Sequence, residues 1–534
     1  MKKIPHFRSA IVGLLLMPLL VAGCTDDFSA LNTPDNEIVA SNIDANLVGQ
    51  AFAQSQYRGM YGLNWQFQIS TSLFADLYAQ YFATTAVNFD SDQYVEVGRW
   101  IDLAWTSFYG DAAPQLKLVR DFTAENEMNV ENAIANVWRV QLYHRITDYW
   151  GPIIYSEFGN GEKVVPYDAQ EAVYNDFFTR LDEAIQVLEN NRGEQPFGSN
   201  DLVYGGNVDQ WIQFANSLRL RLAMRIRYVD PGKAQAEAEK AINAGVIESN
   251  ADNAMILTTA NNRHPYATIT DWGEFRMSSA MESVLEGYDD PRVGTYFSQA
   301  VDGDRDGDGS PYEGMRNGLP RTDKGSELNT DYSDMGTNWL NANRGGINPP
   351  IRVMGAAEVY FLRAEGALLG WQMGGTAEQL YNEGIRMSMT EERIGAPSDA
   401  VDAYIASTNT PVSPDDEWGT APLSDIPVAF ESGASQERQL EQIITQKWLA
   451  LYPDAWEAFA EYRRTGYPRL YPIIESQNTK LAEGDIFRRM TFVSSEYDTN
   501  GDAVQEATNL LGGEDANDTR LWWDAKPLGE YPPR

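Results

Sequence analysis

The chain has 534 residues, 43% hydrophobic and 12% aromatic, enough to fill a large core and to exclude global disorder. It carries 77 acidic against 41 basic residues, a formal net charge of −36. That excess excludes a nucleic acid or an anionic membrane surface as the main partner, because a polyanion is drawn to clustered Lys and Arg.

Cysteine use narrows the classes further. The single thiol, Cys24, leaves no intrachain disulfide, multi-cysteine zinc site or CxxC redox pair. Residues 1–23 read as a signal peptide: Lys2, Lys3 and Arg8 form a positive start, and the apolar run 10–22 is too short to span a bilayer. It ends in Val21-Ala22-Gly23-Cys24, which resembles a bacterial lipobox and makes Cys24 the lipidation site. Residues 24–42 are polar, with turn chemistry at Asn32-Thr33-Pro34-Asp35-Asn36, and read as a tether. Residues 43–534 read as a single domain.

Helical periodicity dominates that domain, in pairs. The first pair is predicted near 130–190, its leading helix carrying Ile134, Trp138, Leu142 and Ile146 on one stripe, with His144 opposite it. The second lies near 208–244, broken by Asp230-Pro231-Gly232. The third lies near 355–390, across a Gly-rich turn, and the fourth near 437–464, joined through Pro453. Arg219, Arg221, Arg225 and Arg227 alternate with apolar residues and read as partners for the abundant acids. The stretches 245–354 and 396–435 lack such periodicity, yet the first is dense in aromatics, which marks it as functional and not a disordered linker.

Residues 302–313 satisfy D-x-[DN]-x-[DN]-G-x5-E. A hard cation takes six to eight oxygens. The pattern supplies them from Asp302, Asp304 and Asp306, the carbonyl of Asp308 and a bidentate Glu313, with Gly307 making the turn. Pro311 and Gly314 disfavour an exiting helix, so the expectation is an isolated, structural Ca2+ loop.

Enzyme signals are weak. The chain has three histidines and no HExxH, GxSxG, GxGxxG or P-loop pattern. A pair of carboxylates for glycoside hydrolysis is a property of the fold and stays open here.

Three blocks, Tyr143–Tyr155 (YHRITDYWGPIIY), 355–370 (GAAEVYFLRAEGALLG) and 446–470 (QKWLALYPDAWEAFAEYRRTGYPRL), resemble signatures of the SusD/RagB family, surface lipoproteins of Bacteroidetes. The DDPRV stretch at 289–293 and the ending Leu521-Trp522-Trp523-Asp524 are similar to its SusD-like branch, and Asp26-Asp27 after the cysteine resemble the surface-export signal of such lipoproteins. The resemblance implies a mostly α fold, a right-handed superhelix of four tetratricopeptide-like helix pairs with a large loop-rich ligand-binding region. It also implies a non-catalytic protein, anchored in the outer membrane and facing outward. Its role there is to bind a nutrient, most often a glycan, as a lid on a SusC-like TonB-dependent transporter. A surface glycoside hydrolase and a non-catalytic scaffold or adhesin are the alternatives.

Sugars offer apolar C–H faces to aromatic rings and hydroxyls to amides and charges. The candidate ligand-binding residues are therefore Trp272 with Arg276, Trp339 with Asn338 and Asn341, and, nearer the N-terminus, Trp65, Tyr94 and Trp100.

Overall fold

Four helix pairs supply most of the α-helix among the described residues. The computed structural model describes residues 43–305, 307–414, 416–482 and 484–532. The signal peptide, Cys24, the tether of 24–42 and Asp306 of the acidic loop lie outside the described residues. The chain divides at Val48 into two units, and the described part of the first is residues 43–48, which open the helix Ala45–Gly59. The second runs on from Gly49.

The paired helices are α1 (Asn129–Trp150) with α2 (Gln170–Glu189), and α3 (Val208–Arg225) with α4 (Pro231–Ala244). They continue with α5 (Ala356–Leu368) and α6 (Ala377–Met389), then α7 (Gln436–Leu451) and α8 (Ala455–Thr465). Their ends follow from local chemistry. Asp230 caps α4 by accepting the Lys233 N–H, with Pro231 pre-set in the first turn. Thr376 and Gln379 close a capping box on α6. Gly151 (φ 86°) and Gly466 (φ 81°) stop α1 and α8 in a conformation that costs other residues strain.

Small residues set the spacing within pairs. Ala234, Ala238 and Ala241 are the buried face of α4, which packs on α3. Gly384 of α6 lies so close to α5 that a Cβ there would sit 2.8 Å from the Phe361 ring. The last pair departs from the others, because α8 also packs on the short helix Ala75–Tyr78. There Trp456 stacks on Tyr149 with centroids 3.7 Å apart, and Trp448 stacks on Tyr81 at 5.3 Å.

α1 corrects the stripe reading. It packs against α2, α3, α8 and the helix Ala113–Glu125, so His144, placed opposite the apolar stripe, is buried as deeply as the stripe itself. Its Nδ1 lies 3.2 Å from the Val140 carbonyl, and burial with Arg221 and Arg145 nearby drives its pKa well below the usual imidazole value.

The arginine run of α3 does pair with acids, and it does so inside the protein. Arg221 makes a two-pronged contact with Glu358, both arms 2.7 Å. Arg225 reaches Glu457 (2.6 Å), Glu461 (3.0 Å) and Asp148 (3.2 Å). Arg227 pairs with Glu365, which also holds Arg464, and Lys447 completes the group at Glu461. Arg464 therefore belongs to this network, held also by Glu461 at 2.6 Å. Burial alone would raise the Glu461 carboxyl, but Arg464, Lys447 and Arg225 hold it well below the ordinary range. Among the described residues, buried basic side chains outnumber buried acidic ones, although acids exceed bases 77 to 41 in the chain.

The two loop-rich stretches carry short strands, helical turns and two short helices, Ser279–Gly287 and Ser398–Ile405. β1 (Phe82–Thr84) pairs antiparallel with β3 (Phe275–Met277), and β2 (Ala254–Ile256) with β4 (Ile351–Met354). The first pairing fastens residues 270–277 to the segment after the helix Asn64–Phe67. This brings together candidates some 200 positions apart in the chain.

Candidate functional site

Trp65 lies in the helix Asn64–Phe67, which packs against both the helix Tyr266–Ile269 and the helix Gly98–Ser107. Trp272 ends the helical turn directly following Ile269. Both indoles stand in solvent, 45% and 41% exposed, where a tryptophan gains little from burial. Gly273 (φ 67°) turns the chain from Trp272 into β3, and a Cβ there would press on the Asn329 amide at 3.0 Å. Gln68 donates to Glu274 at 2.5 Å and ties the two tryptophan segments together. Half-burial raises the Glu274 carboxyl, and the Gln68 bond partly offsets this.

Further groups surround this face. Phe275 stacks on Phe89 at 5.8 Å, and Phe89 meets the edge of Trp100. Leu103, on the same helix as Trp100, is exposed. Arg344 donates to the Thr270 carbonyl and to Asp271, each at 3.3 Å, so the turn that Asn341 opens lies against the Trp272 segment. Thr85 bonds Asn329 at 2.7 Å. Exposed indoles, amides and charges thus lie on adjoining segments, the combination that reads a sugar.

The other candidates separate. Arg276 is buried and bonded to the carbonyls of Asn329 and Phe275 (3.1 and 2.6 Å). Trp100 is buried, and Tyr94 packs in the core on Tyr78 and Phe487. Trp339 is fully buried among Tyr296, Tyr452 and the Arg393 guanidinium, and its ring presents no face to solvent. Its neighbour Asn338 instead lines a groove of about 1150 Å³ with Tyr204, Gln210, Asn250 and Arg393. Gln68, Glu274, Phe89 and Phe275 were not among the binding candidates read from the sequence, since single residues in turns show no pattern before the strands pair.

In the acidic loop, Asp304 accepts from the N–H groups of Gly307 (2.7 Å) and Gly309 (3.0 Å), and Asp308 accepts from Ser310 N–H (2.7 Å). Glu313 is buried, its Oε1 accepting the Arg305 N–H at 2.6 Å, so position twelve folds back onto position four. The donors are all oxygen, the set a hard cation takes. Among the described residues, which omit Asp306, no group of three or more acidic, His or Cys side chains is gathered closely enough to hold a metal. His264 is buried, and burial pushes its pKa down to about 3, so it stays uncharged at neutral pH.

No helix among the described residues is long and apolar enough to cross a membrane. No curated protein matches the chain. Solved structures do. A chitin-binding SusD homolog from Flavobacterium johnsoniae is 34% identical with a TM-score of 0.83, over 90% of this chain and 99% of its own. SusD homologs from Bacteroides uniformis (35%, TM-score 0.79) and Bacteroides thetaiotaomicron (32%, TM-score 0.81) each align over 91% of this chain and all of theirs. The family model for Susd and RagB outer membrane lipoproteins matches residues 30–524, and with a fold of the same helical class the chain belongs to the SusD-like family.

Proposed function

We propose that this protein binds glycans at the cell surface and delivers them to a SusC-like TonB-dependent transporter without transforming them. Lipid on Cys24 anchors it to the outer membrane, facing outward. The observation that supports this reading is the pair of exposed indoles, Trp65 and Trp272, on segments joined by the Gln68–Glu274 bond. The similarity to a chitin-binding homolog makes chitin oligosaccharides the first ligands to try.

Calorimetry with chitohexaose and maltoheptaose tests the reading. Trp65→Ala and Trp272→Ala are each expected to weaken binding about tenfold, roughly 1.4 kcal/mol, with the fold unchanged because both side chains are exposed. Binding by neither sugar, or parental affinity in both variants, would sink the assignment. Release of shorter sugars on long incubation would favour a glycosidase, and recovery of the protein with a transporter from outer membranes tests the partner.

We also propose that the loop 302–313 takes a structural Ca2+, held by Asp302, Asp304, Asp306 and Glu313 with the Asp308 carbonyl. Its all-oxygen donors and the inward fold of Glu313 support the reading.

A further inference from the structure

Away from the tryptophan face, a cavity of about 300 Å³ opens between the helix Ala113–Glu125, α1, α2 and the loop that follows α1. Lys117, Arg120, Arg139 and Arg180 line it, with Tyr143 and Tyr155. Asp121 and Glu157 are the acids on its wall. In a chain of net charge −36, this cationic wall runs against the composition.

Two of the four cations have their charge engaged. Lys117 pairs with Asp121 at 2.5 Å, and Arg180 pairs with Asp176. The other two do not. Arg139, only 4% exposed, lies over the Tyr155 ring at 3.9 Å and donates one bond, at 2.9 Å, to the Tyr155 carbonyl. Arg120 donates its Nε to the neutral Asn136 at 3.0 Å. Among the described residues neither guanidinium pairs with a carboxylate, whereas the more deeply buried α3 arginines, Arg221 and Arg225, each have two or more. Burial, with Arg139 and Arg180 alongside, brings the Arg120 pKa down to about 10. An uncompensated buried charge is costly, and a cluster of like charges more so.

We infer that this cavity is a binding site for a small oxyanion, a carboxylate, sulfate or phosphate group gripped by Arg120 and Arg139. The planar fork of a guanidinium matches such a group with two parallel bonds. Tyr155 fixes the plane of Arg139 from below, so its remaining donors are set before the ligand arrives. The volume exceeds a bare ion and admits a monosaccharide-sized acid, so the anion comes either free or on a sugar acid.

The test is calorimetry and thermal melting of the full chain with sodium sulfate, sodium phosphate and sodium glucuronate, against sodium chloride at matched ionic strength. Binding heat and a raised Tm are expected with at least one oxyanion and not with chloride. Response to glucuronate alone identifies a sugar acid, and response to sulfate or phosphate alone identifies the free ion. Arg120→Gln, at a half-buried position, is expected to weaken binding at least tenfold while the protein still melts cooperatively. Arg139→Lys keeps the charge but loses the fork and is expected to weaken it similarly. The inference is overturned if all three oxyanions act like chloride, or if both variants bind as the parent does. Neither result bears on the tryptophan face, whose ligands are neutral sugars.

Discussion

At the scale of single residues, exposure separates tryptophans that the sequence could not tell apart. Trp339 and Trp272 both sit in turns with amide or charged neighbours, yet one is fully buried and the other stands in solvent. Trp339→Ala should cost about 3–5 kcal/mol, visible as a large drop in denaturation midpoint, while Trp272→Ala should leave that midpoint within about 0.5 kcal/mol. Sequence local to a turn does not encode which side of it faces the core, so the candidate residues were legible only as a list. Asp76 carries a second residue-level prediction. It is fully buried, accepts the Tyr266 hydroxyl at 2.8 Å, and burial raises its carboxyl to about 7 despite that bond. A raised acid pKa stabilises the fold fully below about 4, and that contribution is lost as pH climbs through 7. Asp76→Asn should therefore gain on the parent by about 1.4 kcal/mol per pH unit between about pH 4 and 7, read from melts across that range.

Among elements, the helix pairs were the most legible feature, because their 3.6-residue periodicity, Pro231 breaker and capping residues are all local. Their boundaries shift by only a few residues between sequence and structure. The strands were invisible, being three or four residues long and defined by partners far away in the chain. α1 shows the converse failure: a helix packed on several sides buries His144 and Arg139 as well as its apolar stripe, which amphipathic reading cannot foresee. Close packing of α5 on α6 yields a test. Gly384→Ala places a methyl against the Phe361 ring, and overpacking of this kind should cost about 1–3 kcal/mol, whereas the double variant with Phe361→Leu should recover part of it. The acidic loop yields another. Millimolar calcium should raise Tm in the parent and not in Asp302→Asn, with magnesium ineffective because it demands a tighter octahedral shell.

Across the whole molecule, the buried ion network links α1, α3, α5, α7 and α8. Arg225→Met leaves Glu457, Glu461 and Asp148 short of a shared partner and should cost about 3–5 kcal/mol, measured by denaturant unfolding at neutral pH. High salt should barely alter that loss, since buried pairs are little screened. The arginine run announced such pairing in the sequence, but not its depth, which depends on carboxylates brought from five other helices. The inward allocation of basic residues has one more consequence. With so much of the cationic complement inside, the outer shell is more acidic than the composition alone suggests. Within the roughly 8 Å that electrostatics reach at physiological salt, a sulfated or uronic polymer meets repulsion over most of that shell, and a neutral polysaccharide meets none. Such a shell repels polyanions and leaves neutral polymers free to approach.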